Sequence, residues 1–460
     1  MKKILRRIVG WSSLALFLLA SPLVVFYSLG YRAGFEQSLA PQIVGVLSIE
    51  SFPSRANVFL GGREIGRTPE IVSGLKPGAV DVVVTKPGYQ QWRKRLIIEP
   101  GRATEAHSVL LFPESIHPDN LVPNAASFSL SPNRHLIAYS TQDHQVAVID
   151  QSGLHIINPL PLSESVKSLL WSPNNTYVII TTISEKMFLL DTTRPNQASL
   201  EPLQLDAKKI VWDPRTPSRT LVQSQQGILG AYQVTNRAFA SLAENVLDFA
   251  TSDRNLYVVT LSNQIEAYSF QGVQSSLTIP AAPGVVQTLR STPGGRLTIA
   301  LDDGSLWVWD GHQEWQKITD KFQSFSWAPD EQMLMIASDS YSLYIYNFEA
   351  DRAGIPLKEL HLVTRLARPI HNPQWFAGSR HLIYQVEDEI LVTEIDTRDY
   401  AQSYQLDTTN NGSSQVTVGE SGRTIFYIRN QGSQNNLVST SLLNEDTPAT
   451  PLSKLNLLSL

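Results

Sequence analysis

Short apolar runs alternate with polar turns along almost the whole chain, and this pattern predicts mainly β structure. Within residues 45–112, the segment Val46-Leu47-Ser48-Ile49-Glu50-Ser51 alternates apolar and polar positions, which is the period of a half-buried strand. Turns rich in glycine and proline separate it from further strand-like runs at 57–60, 80–85, 92–98 and 104–111. We therefore predict a small all-β module over residues 45–112.

The turns of this module carry several motifs in a fixed order. The motifs are Ser51-Phe52-Pro53-Ser54 through Gly61-Gly62, Gly66-Arg67-Thr68-Pro69, Leu75-Lys76-Pro77-Gly78, and Lys86-Pro87-Gly88-Tyr89-Gln90-Gln91-Trp92. Together they resemble the PEGA domain, a small β-sandwich found on the surfaces of bacteria and archaea. Lys76 stands where that family usually has Glu, but the Pro-Gly turn is kept. The resemblance implies a spacer or binding module without a catalytic role.

A second pattern repeats through residues 113–460. A turn such as Ser131-Pro132-Asn133, followed by an apolar strand, recurs with spacings of 41, 41, 39, 40, 36, 48 and 43 residues. The marker positions are Pro132, Pro173, Pro214, Asp253, Pro293, Pro329, Ala377 and Glu420. A sheet of about 40 residues cannot bury both of its faces alone, whereas sheets packed radially around an axis can. The repeat therefore predicts a β-propeller of eight blades, or of seven if one weak copy is a closing strand.

This repeat resembles that of TolB-like β-propellers, which are related to the WD-type family. The sequence of the turn differs from the usual Ser-Pro-Asp-Gly in every copy of the repeat. The resemblance implies only the fold, because the repeat residues shape turns and pack blades. Trp171, Trp212, Trp327 and Trp375 share one repeat position, so we expect them to pack between blades. Residues 236–248 have a possible helical face, but the blade spacing predicts a strand there.

The N-terminal segment has the pattern of a membrane anchor. Residues 1–7 carry four basic side chains, and residues 8–31 carry no charge. A helix over 8–31 would span roughly 36 Å at about 1.5 Å per residue, which is enough for a bilayer core. The basic flank predicts a cytoplasmic tail at 1–7, a transmembrane helix at 8–31 and a linker at 32–44, with the bulk of the chain extracytoplasmic. A cleaved signal peptide is the alternative, although Ser28-Leu29-Gly30 is a weak cleavage site.

Charge and composition narrow the classes of partner. The chain has 460 residues, 37 Lys and Arg against 42 Asp and Glu, and no cysteine. The missing cysteines exclude a disulfide framework, a thiolate metal site and a cysteine nucleophile. Residues 45–112 have a formal charge of 9 − 6 = +3, and residues 113–460 have 23 − 35 = −12. The second value argues against nucleic acid as a partner, because phosphate binding needs a cationic surface.

Candidate chemistry is sparse. The sequence contains no nucleophile elbow, phosphate-binding loop or zinc-protease motif, and the nine histidines are scattered. We therefore predict no catalytic residue, no cofactor and no metal site. The acidic runs Asp302-Asp303 and Glu387-Asp388-Glu389 are possible calcium ligands, but the pattern favours solvated turns. Tyr89 and Trp92 are the weak candidates for a ligand-binding aromatic platform, against a role in the core of the small module.

These observations predict a single-pass cell-membrane protein with a small β-sandwich and an acidic propeller. The predicted function is non-catalytic: a surface scaffold that binds proteins or cell-envelope polymers through the propeller, since loops can vary without harming the blades. The alternative is a cell-envelope hydrolase with its site in the propeller channel. Convergent carboxylates or histidines beside that channel would favour the enzyme.

Overall fold

The computed structural model describes residues 11, 14–22, 31–33, 41–312, 314–349, 354–376, 378–410, 415–419, 422–432 and 434–442. The chain divides into two compact units. The first unit comprises residues 1–115 together with 396–402, and the second comprises 116–395 together with 403–460.

Most of the predicted membrane segment 8–31 lies outside the described residues. Residues 14–22 are helical, and Leu16, Phe17 and Leu19 are 68, 66 and 72% exposed. In the described part of the chain, no helix combines the length and the apolar character needed to cross a bilayer. Two short strands, Tyr31–Ala33 and Pro41–Ile43, pair antiparallel; the first begins at the last residue of the predicted helix, and the second lies within the predicted linker at 32–44.

Two sheets packed face to face form the small module of the first unit. One sheet has the strand order Glu70–Leu75, Gly45–Phe52, Ala103–Leu110, and the other has the order Arg63–Arg67, Asn57–Leu60, Gly78–Thr85, Trp92–Ile98. Leu47, Val58, Val82 and Leu96 are buried between them. This β-sandwich confirms the predicted all-β module. The strands at 63–67 and 70–75 were not predicted, because their exposed positions blur the alternation of polar and apolar residues.

The strand Trp92–Ile98 buries every second side chain, and one of these side chains is a lysine. Lys94 is 0% exposed. Its ammonium Nζ donates to the carbonyl oxygen of Asp396 at 2.6 Å and lies 3.6 Å from the Asp396 carboxylate. A buried charge is tolerated only when it is paired and hydrogen-bonded, and Asp396 meets both conditions.

Residues 396–402 also cover the backbone of this strand, which lies at the edge of its sheet. The amide of Arg95 donates to the Asp399 carboxylate at 2.9 Å, and the amide of Arg93 donates to the Gln402 side chain at 3.0 Å. Unpaired groups of an edge strand invite pairing with other chains. The segment 396–402 removes that hazard within the first unit.

The second unit is built from consecutive antiparallel sheets. Among its described residues, the strands form eight sheets, seven with four strands and one with three. Sheets 1 to 4 comprise Ala125–Leu130, Leu136–Thr141, Gln145–Asp150, His155–Pro161; Val166–Trp171, Tyr177–Thr182, Met187–Asp191, Leu200–Leu203; Lys209–Trp212, Arg219–Gln223, Leu229–Gln233, Ala238–Ala243; and Val246–Thr251, Leu256–Thr260, Ile265–Tyr268. A short 3₁₀ helix, Pro195–Gln197, lies in the connection between the third and fourth strands of sheet 2.

The remaining sheets complete the set. Sheets 5 to 8 comprise Val286–Ser291, Leu297–Leu301, Leu306–Trp309, Gln316–Thr319; Ser324–Trp327, Met333–Ala337, Ser342–Asn347, Leu360–Arg365; Ile370–Trp375, His381–Val386, Glu389–Glu394, Ser403–Thr408; and Val416–Val418, Thr424–Gln431, Gln434–Ser441, Pro118–Val122. Sheet 8 thus takes its fourth strand from the start of the unit. Sheet 8 also packs on sheet 1, since Phe426 and Leu437 share a core with Phe128 and Ile137. Joining the two ends of the unit in one sheet closes the ring and leaves only short edges, as in a β-propeller.

The predicted repeat markers coincide with this architecture. Each marker position falls between the first and second strands of one sheet, although Ala377 and Glu420 themselves lie outside the described residues. Residues 236–248 contain the strand Ala238–Ala243, as the blade spacing predicted. The blade spacing was the better guide there, because pairing with the neighbouring strand overrides a weak helical pattern.

The recurring tryptophans pack between sheets. Trp171 donates from Nε1 to the Ser129 carbonyl of sheet 1 at 3.0 Å, and Trp212 donates to the Leu170 carbonyl of sheet 2 at 3.1 Å. Trp375 makes the same bond to Ser326 at 3.0 Å. The shared geometry explains why one residue type recurs at this position.

Candidate interaction surface

The direction of the strands gives the propeller two distinct ends. The connections between first and second strands and between third and fourth strands lie at one end, which we call the turn end. The connections between second and third strands, and the linkers from one sheet to the next, lie at the opposite end, which we call the rim. Loops at either end vary without disturbing the sheets, so each end is a possible binding surface.

Side chains of the turn end join neighbouring sheets. Asn175 and Glu331 occupy the fourth position of their turns with φ of 64° and 58°, a conformation that favours glycine. The Asn175 side-chain oxygen accepts from the amide of Asn133 in sheet 1 at 3.0 Å. The Glu331 carboxylate accepts from the amide of Gly294 in sheet 5 at 3.0 Å. Residues with side chains therefore replace the glycine of the usual motif and gain contacts between sheets.

The rim instead exposes large apolar side chains. Ile183, Leu261 and Val285 are 63, 62 and 53% exposed, and Ile228 and Tyr341 are 37 and 44% exposed. These five residues, which we call the rim arc, supply one apolar side chain at or next to each sheet from 2 to 6. A single exposed apolar residue is ordinary on a soluble protein, whereas one at each of five adjacent sheets is a repeated apolar feature of this end.

Equivalent backbone hydrogen bonds in three sheets place three members of the rim arc at the same end. The amide of Ile183 donates to the Ser165 carbonyl at 3.1 Å, and the amide of Leu261 donates to the Asn245 carbonyl at 2.8 Å. The Val285 carbonyl accepts the corresponding bond in the next sheet, at 3.0 Å. Each bond joins a connection between second and third strands to the linker that precedes its sheet, so these side chains stand on one rim.

A cavity of about 680 Å³ opens at the rim between sheets 2 and 3. Its wall includes Phe188 and Leu205, and three lysines, Lys167, Lys186 and Lys208, surround it. The Lys186 ammonium lies 3.1 Å from the carboxylate of Glu164, and Lys167 pairs with Glu185. The Lys208 ammonium donates to the Leu247 carbonyl at 3.2 Å, and it has no carboxylate partner within 4 Å among the described residues.

The first strands of the sheets form the innermost ring. The Gln415 side chain donates to the Phe128 carbonyl at 2.6 Å and accepts from the Phe128 amide at 3.2 Å, joining sheets 8 and 1. Gln374 donates to the Val416 carbonyl at 2.8 Å, joining sheets 7 and 8. Because first strands of adjacent sheets lie within hydrogen-bonding reach, they face the central axis.

A charged cluster occupies this inner ring in sheets 3, 4 and 5. The Lys209 ammonium donates to the Asp248 carboxylate at 2.6 Å and to the Phe249 carbonyl at 2.6 Å. The Arg290 guanidinium lies 4.0 Å from the other oxygen of Asp248. Burial lowers the pKa of Lys209 below its usual value, the Asp248 carboxylate opposes that shift, and the nearby cations Arg290 and Lys208 add to it.

The structure places the predicted aromatic pair in the interior. Tyr89 and Trp92 are 4 and 2% exposed and belong to the core of the small module. Their rings pack with Leu47 and Val82 rather than forming an accessible platform. Trp92 faces inward because it is the first of the buried, alternating positions of the strand Trp92–Ile98.

The acidic runs serve turns and ion pairs. Asp303 accepts from the amide of Ser305 at 2.8 Å and from its hydroxyl at 2.5 Å, and these bonds lower the pKa of the Asp303 carboxyl. Arg368 donates to Glu387 at 2.9 Å and to Glu389 at 3.0 Å. Within the described ranges, no three acidic or histidine side chains converge as metal ligands.

The sequence interpretation missed the cluster of Lys209, Asp248 and Arg290. These residues are 39 and 42 positions apart, close to the repeat period. Lys209 and Asp248 each precede the repeat marker of their sheet by five residues, so aligning the repeats would have brought these two together; Arg290 precedes its marker by three residues and lies further along its strand. Their charges were overlooked because each one stands alone in its own segment.

The fold defines a protein with a small β-sandwich and a propeller of the WD40 type. Residues 44–111 match the PEGA domain family, which confirms the resemblance over 45–112. The crystal structure of the C-terminal WD40 domain of Sif2 is similar, with a TM-score of 0.51 and 15% identity over 71% of this chain and 99% of that chain. Saccharomyces cerevisiae Sqt1 has a TM-score of 0.49 and 14% identity over 72% of this chain and 98% of that chain.

Identities this low show only the fold, and the similarity to the Sif2 domain confirms the predicted propeller. Comparison with curated proteins found no match for this chain. The TolB-like subtype stays a prediction.

Proposed function

We propose that this protein is a non-catalytic scaffold of the cell surface, held by an N-terminal membrane anchor, whose propeller rim binds a partner protein. In this proposal the eight sheets are the eight blades of one TolB-like propeller, and the β-sandwich and the propeller lie outside the cytoplasmic membrane. The rim arc is the observation that carries the proposal.

The rim arc favours a protein partner over a cell-envelope polymer. Its side chains are aliphatic or aromatic, and they recur in adjacent sheets, so together they offer extended apolar area. Burial of such area contributes about 25 cal/mol per Å² and is the main favourable term in protein association. The turn end exposes Leu154, Val273 and Leu357, but these belong to sheets 1, 4 and 6, no two of which are adjacent.

The anchor is supported by the sequence and by the exposed apolar helix at 14–22. The four basic residues at 1–7 precede an uncharged run, as expected for a segment whose basic end stays in the cytoplasm. Leu16, Phe17 and Leu19 present apolar surface that lipid would cover. Fusion of a periplasm-active reporter to the C-terminus tests this part, and a reporter active only in the cytosol would exclude it.

The alternative hydrolase needs convergent carboxylates or histidines beside the central axis. The inner ring carries the pair Lys209 and Asp248, and Gln374 and Gln415 bond to backbone groups. Asp248 is already engaged by a lysine and by backbone amides, which suits a fixed charge rather than a general acid. These observations support the scaffold.

Site-specific photo-crosslinking in cells tests the role of the rim. A photoreactive amino acid at Leu261 is expected to yield one discrete crosslinked protein, and the same substitution at Leu154, which is similarly exposed on the turn end, is expected to yield none. Equal crosslinking at both positions, or none at either, would contradict a rim-specific scaffold.

A further inference from the structure

The charges next to the middle of the rim arc are unbalanced. Three cations, Lys208, Lys209 and Arg290, are grouped around one carboxylate, that of Asp248. Like charges held this close repel one another, and a single carboxylate cannot offset all three. The group is a local concentration of positive charge in a region, residues 113–460, whose formal charge is −12.

Asp248 carries one negative charge against three cations, and three hydrogen bonds already occupy most of its carboxylate. One carboxylate oxygen accepts from the Lys209 ammonium and from the Phe249 amide, and the other accepts from the Leu289 amide at 2.8 Å. The side chain of Arg290 is 55% exposed, and Lys208 is also exposed. The heads of these two side chains are therefore accessible to an anion from solution.

The rim arc supplies exposed apolar side chains from the same three sheets. Ile228, Leu261 and Val285 come from sheet 3, sheet 4 and the linker to sheet 5, and these sheets supply Lys209, Asp248 and Arg290. A peptide that extends from the cations of the inner ring to the rim of these sheets would therefore pass exposed apolar side chains. The combination selects for an anionic group set among apolar groups.

We propose that the rim of sheets 3 to 5 binds a peptide segment of the partner protein in which Asp or Glu stands between large apolar residues. Its carboxylate pairs with Lys208 and Arg290, and its apolar side chains contact Leu261 and Val285. The inference rests on the proposed scaffold function and names the segment that the scaffold recognises. Charge-assisted hydrogen bonds to an arginine fix the carboxylate and so specify the register of the peptide.

The charge distribution argues against an extended polyanion. Such a polymer needs a continuous cationic track, whereas beyond this group the propeller is acidic. One or two carboxylates match the local excess of positive charge. An anionic wall polymer is therefore an outcome that the experiment must be able to detect.

The test is selection of displayed random peptides on the full-length protein in nanodiscs. We expect the selected pool to be enriched in Asp or Glu next to Leu, Ile or Phe, and the binding of a selected peptide to weaken at high ionic strength. The double variant Lys208→Gln/Arg290→Gln should bind that peptide about fivefold to tenfold more weakly. The variant Lys321→Gln, which removes an exposed cation from the rim before sheet 6, should bind it as the wild type does. All of these side chains are exposed, and thermal unfolding checks that the variants remain folded.

The outcomes separate this inference from the proposed function. Selected peptides that lack acidic residues, or that bind the double variant unchanged, would overturn the acidic-segment proposal while leaving the scaffold in place. Failure to select any peptide, combined with absence of crosslinks at Leu261, would overturn both. A third outcome is that no peptide binds, whereas inorganic polyphosphate binds tightly to the wild type and not to the double variant. This result would identify a polyanion as the ligand and would contradict the proposal.

Discussion

The two ends of the propeller use their side chains in opposite ways. At the turn end, Asn175 and Glu331 reach the backbone of the neighbouring sheet, so the turns hold sheets together. At the rim, Ile183 and Leu261 project into solvent while only their backbone amides are bonded. Side chains at one end of the repeat therefore stabilise the packing of the sheets, while those at the other end remain accessible to a partner. Substitutions should therefore cost stability at the turn end and binding at the rim.

The largest effect is expected at Asp213, which takes the place of the serine at the turns of sheets 1 and 2. It is 0% exposed, accepts from the amide of Arg215 at 2.8 Å and pairs with the Arg219 guanidinium through Nε at 2.6 Å. Asp213→Ala should lower the free energy of unfolding by about 3 kcal/mol, because it leaves a largely buried cation without its partner. Denaturant titration measures the change. The double variant Asp213→Ser/Arg219→Gln recreates the serine turn and should recover part of the lost free energy of unfolding. A double variant as unstable as Asp213→Ala would contradict this explanation.

A smaller loss is expected from the tryptophan that joins sheets 1 and 2. Trp171→Phe removes the N–H that donates to Ser129 and leaves that carbonyl without this donor. We expect a loss of about 1–2 kcal/mol in the free energy of unfolding. The same substitution at Trp11, which is 71% exposed in the N-terminal segment, is the control and should leave the propeller transition unchanged. Equal stability of the Trp171 variant and the wild type would show that the bond does not hold the sheets.

Two opposing effects on stability meet at the fourth turn position: the hydrogen bond of the side chain and the strain of its backbone. Asn175→Ala loses the bond to Asn133 and keeps a side chain at φ of 64°, so we expect a loss of about 1–2 kcal/mol. Asn175→Gly loses the same bond but relieves the backbone, so its stability should stay close to that of the wild type. Thermal unfolding of the two variants side by side measures the difference, and a glycine variant less stable than the alanine variant would refute the argument.

Stability should be nearly insensitive to the rim arc. Ile183→Ser and Leu261→Ser remove side chains that are already 63 and 62% exposed, so the free energy of unfolding should change by less than about 0.5 kcal/mol. Binding of the selected peptides should fall for Leu261→Ser and stay unchanged for Leu154→Ser, the matched variant of the turn end. A large loss of stability at Leu261 would remove the distinction between the two ends.

The subtlest expected effect is on the titration of Lys209. Burial lowers the pKa of Lys209 in the folded state below 10.5. Between that lowered pKa and 10.5 the unfolded chain binds more protons at this site than the folded protein does, so the free energy of unfolding increases as the pH rises through this range. Lysine NMR titration should show the lowered pKa, and Asp248→Asn should lower it further because the opposing carboxylate is gone. A bound acidic peptide should raise it. A Lys209 pKa that is not lowered, and that changes neither in Asp248→Asn nor on peptide binding, would argue against a cationic cluster.

The two β modules and the repeat of the second one were predictable from local sequence patterns alone. Alternation along Gly45–Phe52 and the recurring Pro turns predict strands and sheets, because these patterns are local consequences of side-chain direction and backbone restriction. The sequence also predicted that Trp171 and its counterparts pack between sheets, since one position recurred with one residue type.

Only the tertiary structure decided where the candidate site lies. The closing strand Pro118–Val122 pairs with residues more than three hundred positions away, and Lys94 finds its partner in Asp396. Lys209, Asp248 and Arg290 meet because the ring sets the first strands of successive sheets side by side. Such contacts depend on ring closure and on which strand end faces solvent, and neither is a property of any local window of residues.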